Sequence, residues 1–208
     1  EENNIFPDIF KRSISRINPQ ISEEEIQRLL TDVSLKLNYD DLGREFFRSL
    51  VNSSGTKLID FENFNNNEFH VTTELTCKKG DEEFRPDITV LINGMPLVFI
   101  EVKKPNNREG VIAERNRINK RFALKDFRAF TNVTQLMLFS NNMEYEDGVI
   151  EPIMGAYYAT PSKDGVMFNY FREEELLNYT NLLKPENEEL ENLVLKDNNI
   201  VAIKYTDE

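Results

Sequence analysis

Three residues near the middle of the chain have the types and spacing to do chemistry: Asp87, Glu101 and Lys103. Glu101 and Lys103 close an apolar run over 97–102. Two positions apart on a strand, they share one face. Val98, Ile100 and Val102 are then expected on the other face, in the core, with Phe99 on the Glu101 side. An acid and a base placed there are expensive to bury without partners. They must reach solvent, pair with each other, or bind something.

Asp87 supplies the further partner. It precedes a second apolar run, 88–92, and Asn93-Gly94 between the two runs is a strong hairpin signal. A regular two-residue loop would set Asp87 opposite Ile100 and send the two carboxylates to opposite faces. A three-residue loop, or a bulge near Met95-Pro96, sets Asp87 opposite Glu101 on one face. Pro96 cannot donate to a ladder, so irregularity is expected there.

Two carboxylates on one face repel unless a cation lies between them. Oxygen donors of this kind suit Mg²⁺, which is content with one or two carboxylates, waters and a phosphate oxygen. A lysine beside them can orient a water or stabilise charge developing on a phosphate. The chemistry this constellation points to is metal-assisted phosphodiester hydrolysis.

The elements that must position these residues follow from periodicity. Residues 1–20 hold two prolines and no sustained period, and read as a lead-in segment. The stretch 22–37 predicts a helix: Ser22 and Glu25 form a capping box, and Ile26, Leu29, Leu30, Val33 and Leu37 make one stripe. A shorter helix is expected over 42–50, and a loop at the Asn run 65–67. Phe69, Val71, Thr73 and Leu75 alternate with polar residues and predict a strand. A turn around Gly80 leads into the central hairpin. A helix is expected over 109–122, extending toward Phe130, then strands over 133–140 and 153–159. The acidic segment 171–195 reads as helical, interrupted at Pro185. Strands, a helix and further strands give an α/β domain, a mixed β-sheet flanked by helices. The nuclease-like core is placed at 21–180, with an acidic helical tail or linker over 181–208.

Composition bounds the alternatives. The chain has 208 residues, 39% of them hydrophobic, and 15 Phe, enough for one generous domain with a real core. A single His and a single Cys leave no cluster for structural zinc and no multi-histidine metal site. No glycine begins a phosphate-binding GxxxxGK[ST] loop, so ATP hydrolysis by this chain itself is not expected. No run approaches the roughly 18 apolar residues of a membrane span, and no signal peptide is expected. Cys77 has no partner for an internal disulfide and reads as a small buried hydrophobe, which suits a reducing cytoplasm. His70 reads as a surface or hydrogen-bonded residue rather than a general base, and Tyr157-Tyr158 as core. The first residue is not Met, as expected of a processed or trimmed product.

A net charge of −12 opposes a nucleic-acid role, but its distribution matters more than its sum. Residues 101–128 carry nine basic and four acidic side chains, a local +5 against −17 elsewhere. Arg117, Arg121, Lys125 and Arg128 are spaced so that one helix face would grip phosphates. With Lys104 they form the candidate DNA-binding set, and a solvated basic face is the competing reading.

Pro86-Asp87 with Glu101-x-Lys103 matches the PD-(D/E)xK nuclease signature. The fuller string looks more specific: Arg85-Pro86-Asp87, an apolar run, Asn93-Gly94-Met95-Pro96-Leu97, then Glu101-Val102-Lys103-Lys104-Pro105. It resembles the N-terminal nuclease domain of the restriction (R, HsdR) subunit of type I restriction-modification enzymes, over most of residues 65–175. The resemblance implies a restriction-endonuclease-like core, with Asp87, Glu101 and the Val102 carbonyl as metal ligands, Lys103 as the catalytic lysine, and Mg²⁺ as cofactor. It implies double-stranded DNA and the modification and specificity subunits as partners, with no membrane. It also implies ATP-driven motor domains for which 208 residues leave no room, as in an excised fragment or truncated homologue. ATP would enter only through them. An accessory acid on an early helix often accompanies this fold, a role that Glu25 or Glu24 could fill. The family's helical Gln-x-x-x-Tyr motif is replaced here by Arg117 and Arg121. Two other functions fit the same fold: a catalytically silent docking module, and a stand-alone repair or resolvase-type nuclease.

Overall fold

The computed structural model describes residues 5–52, 54–79, 82–105, 110–143, 155–160 and 169–170. The chain divides into two compact units, Glu1–Phe168 and Asn169–Glu208. Of the second, only the short strand Asn169–Tyr170 is described. The expected acidic helical tail lies outside the described residues.

The first unit opens with helix α1 (Pro7–Ile17). Reading 1–20 as a lead-in without periodicity passes over this element. Pro7 occupies the first turn, where a missing N–H costs nothing. Phe10, Ser13, Ile14 and Ile17 then form one buried face. Helix α2 (Glu23–Lys36) begins as its sequence predicts. Ser22 accepts from the Glu25 N–H, and the Glu25 carboxylate accepts from the Ser22 N–H at 2.8 Å. Helix α3 (Arg44–Leu50) follows, and Phe46 and Leu50 join Phe10, Ile14, Ile26, Val33 and Leu37 in one core cluster. Met95, Leu97 and Val133 also belong to it, so the helical layer packs on the second strand of the central hairpin just after its turn.

The strands are β1 (Phe69–Thr73), β2 (Cys77–Lys79), β3 (Glu82–Phe84), β4 (Ile88–Ile92) and β5 (Met95–Val102). Then come α4 (Gly110–Ala123), α5 (Arg128–Val133), β6 (Leu136–Ser140) and β7 (Ala156–Ala159). In this unit β1-β4-β5-β6-β7 form a mixed sheet in that order; β2 and β3 pair separately. The β5–β6 pair is parallel and the other neighbours are antiparallel. Flanking helices on a mixed sheet make this the α/β, restriction-endonuclease-like fold expected from the sequence.

The Asn93-Gly94 turn is not the exposed hairpin tip that such a dipeptide usually marks. Asn93 is fully buried, at φ 52°. Its amide donates to the Leu58 carbonyl at 2.8 Å and to Asn67 Oδ1 at 2.9 Å, and its Oδ1 accepts from the Glu68 N–H at 2.8 Å. The Gly94 carbonyl accepts from the Phe6 N–H at 2.9 Å, at the entrance to α1. The turn is thus a hub joining α1, the loop over 58–68 and the hairpin. Glu68 reinforces it from the rim, pairing with Arg12, with Arg16 at 3.7 Å and with His70 at 3.3 Å. The Arg12 guanidinium holds the Glu68 carboxyl below the usual range.

One facing expectation is reversed. Phe99 and Glu101 lie on the more buried side of β5, whereas Val98 and Ile100 are half-buried and Val102 is exposed. The aromatic packing decides it. Phe99 meets Phe139 edge-on and Phe130 of α5, each at a ring-centroid distance of 5.7 Å. Large rings contribute more burial than valine or isoleucine, so the Phe99 face is the one the helices cover.

Candidate active site

The register of the central hairpin sets the site. β4 and β5 close through a two-residue turn, with Ile92 opposite Met95 and Leu91 opposite Pro96. The register then shifts, and Val90 stands opposite Val98, Thr89 opposite Phe99 and Ile88 opposite Ile100. Leu97 is the extra residue of a bulge beside Pro96, as Pro96 led us to expect. Continued by one position, this register brings Asp87 to Glu101. The Asp87 carboxylate does reach that segment: its Oδ2 accepts from the Val102 N–H at 2.7 Å.

Glu101 and Lys103 share a face as their spacing requires. Lys103 Nζ donates to Glu101 Oε1 at 2.5 Å, and the Lys103 N–H donates to the Ser140 carbonyl at 2.7 Å. The latter bond ties the end of β5 to β6. The Glu101 and Lys103 side chains are 9% and 17% exposed, so their pairing is shielded from water.

Sequence reasoning missed a third acid. Glu114, on α4, is 1% exposed and lies 3.4 Å from Lys103 Nζ. Arg117 Nη2 approaches its Oε2 at 3.0 Å and Arg121 Nη1 its Oε1 at 3.4 Å. Oε2 is within ion-pairing distance of two cations yet receives no well-directed hydrogen bond. The ion pairs hold it nonetheless, because charge attraction tolerates angles that a hydrogen bond does not. A signal for Glu114 was present: it sits between Val111 and Ile118 on the apolar stripe of α4, with arginines three and seven residues on.

The electrostatics follow from this packing. Burial pushes the Glu101 carboxyl above its usual range; repulsion from Glu114 and Asp87 adds to this, and Lys103 opposes it. For Lys103, burial acts downward but is outweighed by the hydrogen bond to Glu101 and by attraction from Glu101, Glu114 and Asp87, so its pKa is raised. The lysine is held as an ammonium amid three acids.

The other candidates are placed differently. Glu25 is used in the cap of α2, where the Ser22 N–H lowers its carboxyl pKa, and Glu24 pairs with Arg28 at 2.5 Å. The helical acid that meets Lys103 is Glu114, on α4. The single basic helix face also does not form. α4 ends at Ala123, Lys125 lies in a 3₁₀ turn, and Arg128 opens α5, where it approaches Asp40 at 3.3 Å. Leu124 interrupts the run with extended backbone. Arg117 and Arg121 face Glu114, while Lys104 and Lys125 are exposed. Cys77 is buried and His70 pairs with Glu68, in line with their sequence readings; of the Tyr157-Tyr158 pair expected in the core, Tyr157 is buried and Tyr158 half-buried.

Asp87 and Glu101 offer oxygen donors only, and the charge repulsion on Glu101 is of the kind a cation relieves. Among the described residues, no group of three or more His, Cys, Asp or Glu side chains is placed to hold a metal. Two carboxylates fit an ion that keeps several waters, as Mg²⁺ does. Among the described residues, no helix is long and apolar enough to cross a membrane.

Comparison with known proteins identifies the family. The family described as the type I restriction enzyme R protein N terminus matches residues 1–146. A type I restriction enzyme endonuclease subunit, MjaIXP of Methanocaldococcus jannaschii, is 27% identical over 158 residues, covering 67% of this chain and 15% of the relative. The HindI endonuclease subunit of Haemophilus influenzae is 22% identical over 165 residues, 70% of this chain and 15% of its own length. A Staphylococcus aureus endonuclease subunit, SauMSSORF170P, is 29% identical over 142 residues, 61% of this chain and 14% of the relative. The chain therefore spans about 15% of the length of the first two relatives. With residues 1–146 matched, this chain belongs to the family of type I restriction enzyme R protein N termini.

Proposed function

We propose that this chain is the DNA-cleaving domain of a type I restriction enzyme R subunit, hydrolysing phosphodiester bonds of double-stranded DNA with Mg²⁺. The observation that carries the reading is the bulged hairpin, which brings Asp87 alongside the Glu101–Val102 segment while Lys103 stays against Glu101. The names of the relatives, all endonuclease subunits, support it.

Asp87 and Glu101 are the carboxylates that would hold the ion, with the Val102 carbonyl beside them. A divalent ion there supplies Lewis-acid polarisation of a phosphate oxygen and a more acidic attacking water. Lys103 supplies a fixed positive charge: its ammonium stabilises negative charge building on the phosphate, or orients the water. The buried Phe99 and Phe139, with the half-buried Phe130 against Phe99, lower the local dielectric behind the site and strengthen those interactions. No groove-reading motif accompanies the site, so cleavage by the domain is independent of base sequence.

In this reading the site choice comes from modification and specificity subunits, and ATP-driven translocation from segments of the R subunit beyond this chain. The exposed Lys104 and Lys125 are the basic residues best placed to meet phosphates; Arg117 and Arg121 are committed to Glu114. Supercoiled plasmid incubated with the purified chain is expected to become nicked in Mg²⁺ or Mn²⁺ and to stay intact with excess EDTA. Nicking that persists in EDTA, or a chain inert toward DNA in both metals, contradicts the proposal.

A further inference from the structure

We infer that Glu114 is a positioning residue: it offers Lys103 a second carboxylate besides Glu101, so that the ammonium stays in the site when Glu101 turns its oxygens to a divalent ion. The inference rests on the proposal that Asp87 and Glu101 hold such an ion.

The geometry sets up a competition. Lys103 Nζ lies 2.5 Å from Glu101 Oε1, on one of the two oxygens needed by the ion. Were Glu101 its only acidic neighbour, the ammonium would remain clamped there, and binding the ion would mean breaking that pair in a place where little water can replace it. Glu114 changes the balance. Its carboxylate is 3.4 Å from the same Nζ, close enough to take up the ammonium after a small side-chain rotation. Lys103 then moves between two acids rather than from an acid into solvent.

Glu114 can do this because it is fixed. Its side chain is 2% exposed, between the buried Val111 and Ile118 of α4. Burying a lone carboxylate there would be costly. Arg117 and Arg121 compensate it from the same helix, at 3.0 and 3.4 Å. This gives the two arginines, which stand where the family resemblance leads one to expect Gln and Tyr, a task inside the site. They hold the carboxylate that holds the lysine. Groups that orient a metal-ligand shell commonly influence metal affinity by 10–100-fold.

The test is Mn²⁺ titration by calorimetry of the folded wild-type chain, Glu114→Gln, Lys103→Ala and the double variant. Glu114→Gln is expected to weaken Mn²⁺ binding by about tenfold. In the Lys103→Ala background the same substitution is expected to change it by less than about twofold, because the residue it acts through is gone. Glu114→Asp keeps the charge that the arginines need but withdraws it from Lys103. It is expected to give a smaller loss of the same sign, and it stands in if Glu114→Gln fails to fold. Unchanged Mn²⁺ affinity in the folded Glu114 variants overturns the inference while leaving the metal site intact. An equal loss with and without Lys103 also overturns it, since Glu114 would then act on the ion directly. A wild-type chain that binds no Mn²⁺ removes the metal reading itself, and this inference with it.

Discussion

Lys103→Ala is expected to lower the rate of plasmid nicking by roughly 10²–10³-fold, the usual cost of removing a fixed group that stabilises transition-state charge. The residue carries a positive charge that meets both Glu101 and Glu114, and its raised pKa means that it delivers that charge at neutral pH. The loss should fall on the rate constant rather than on the DNA concentration needed for half-maximal rate. In the proposed function DNA contact would fall to exposed basic residues such as Lys104 and Lys125, whereas Lys103 is largely covered by its two acids. Fold should survive. The backbone of Lys103 stays tied to Ser140, and Glu101 can take up a proton more readily than an ordinary carboxylate, because burial already raises its pKa. Single-turnover nicking rates over a DNA titration check this. A rate within about threefold of wild type would remove Lys103 from the chemistry.

Gly94→Ala is expected to be strongly destabilising. Gly94 has φ 78°, where a Cβ costs about 1–2 kcal/mol by itself. Space adds to the penalty: a Cβ would lie 2.7 Å from the Phe6 carbonyl oxygen and 2.8 Å from the Phe10 nitrogen. Both are backbone atoms of the entrance to α1, so relief requires the helix to move off the hairpin. That movement breaks the Phe6–Gly94 hydrogen bond and opens the core around Phe10 and Ile14. Strain and overpacking together are expected to cost roughly 3–5 kcal/mol, a large part of a typical domain's stability. Urea denaturation followed by far-UV circular dichroism measures it. A midpoint equal to wild type would mean that α1 does not rest on the turn as described.

The two predictions concern the same hairpin, and much of that hairpin is legible in the amino-acid order. Period-two spacing places Glu101 and Lys103 on one face. Pro96, unable to donate to the ladder, marks where the bulge falls, and Leu97 is the residue it adds. Ser22 and Glu25 announce the start of α2. These features are local, and local chemistry is what a sequence displays most directly.

What was hidden depends on tertiary contact. α1 is short and flanked by prolines, and its face of Phe10, Ile14 and Ile17 has meaning only against the core that it covers. The facing of β5 turns on Phe130 and Phe139, thirty or more residues from Phe99. The continuous basic face fails because Leu124 leaves the helical conformation, which the four-residue spacing of arginines and lysines does not reveal. Glu114 lay within sight: an acid on an apolar stripe with arginines three and seven residues later is a buried carboxylate with its counter-charges supplied. By charge count alone it is one of four acids within residues 101–128, and its burial is what singles it out.

The central claim is that Asp87 and Glu101 jointly hold one divalent ion with Lys103 at its side. The most direct measurement is an anomalous difference map from crystals of this chain soaked in Mn²⁺. The account predicts a single strong peak within about 2.5 Å of an oxygen of each carboxylate, the usual range for oxygen donors to such ions, and its disappearance in Asp87→Asn. A map in which Mn²⁺ orders elsewhere, with no peak between Asp87 and Glu101 while Lys103 stays bonded to Glu101, would contradict it.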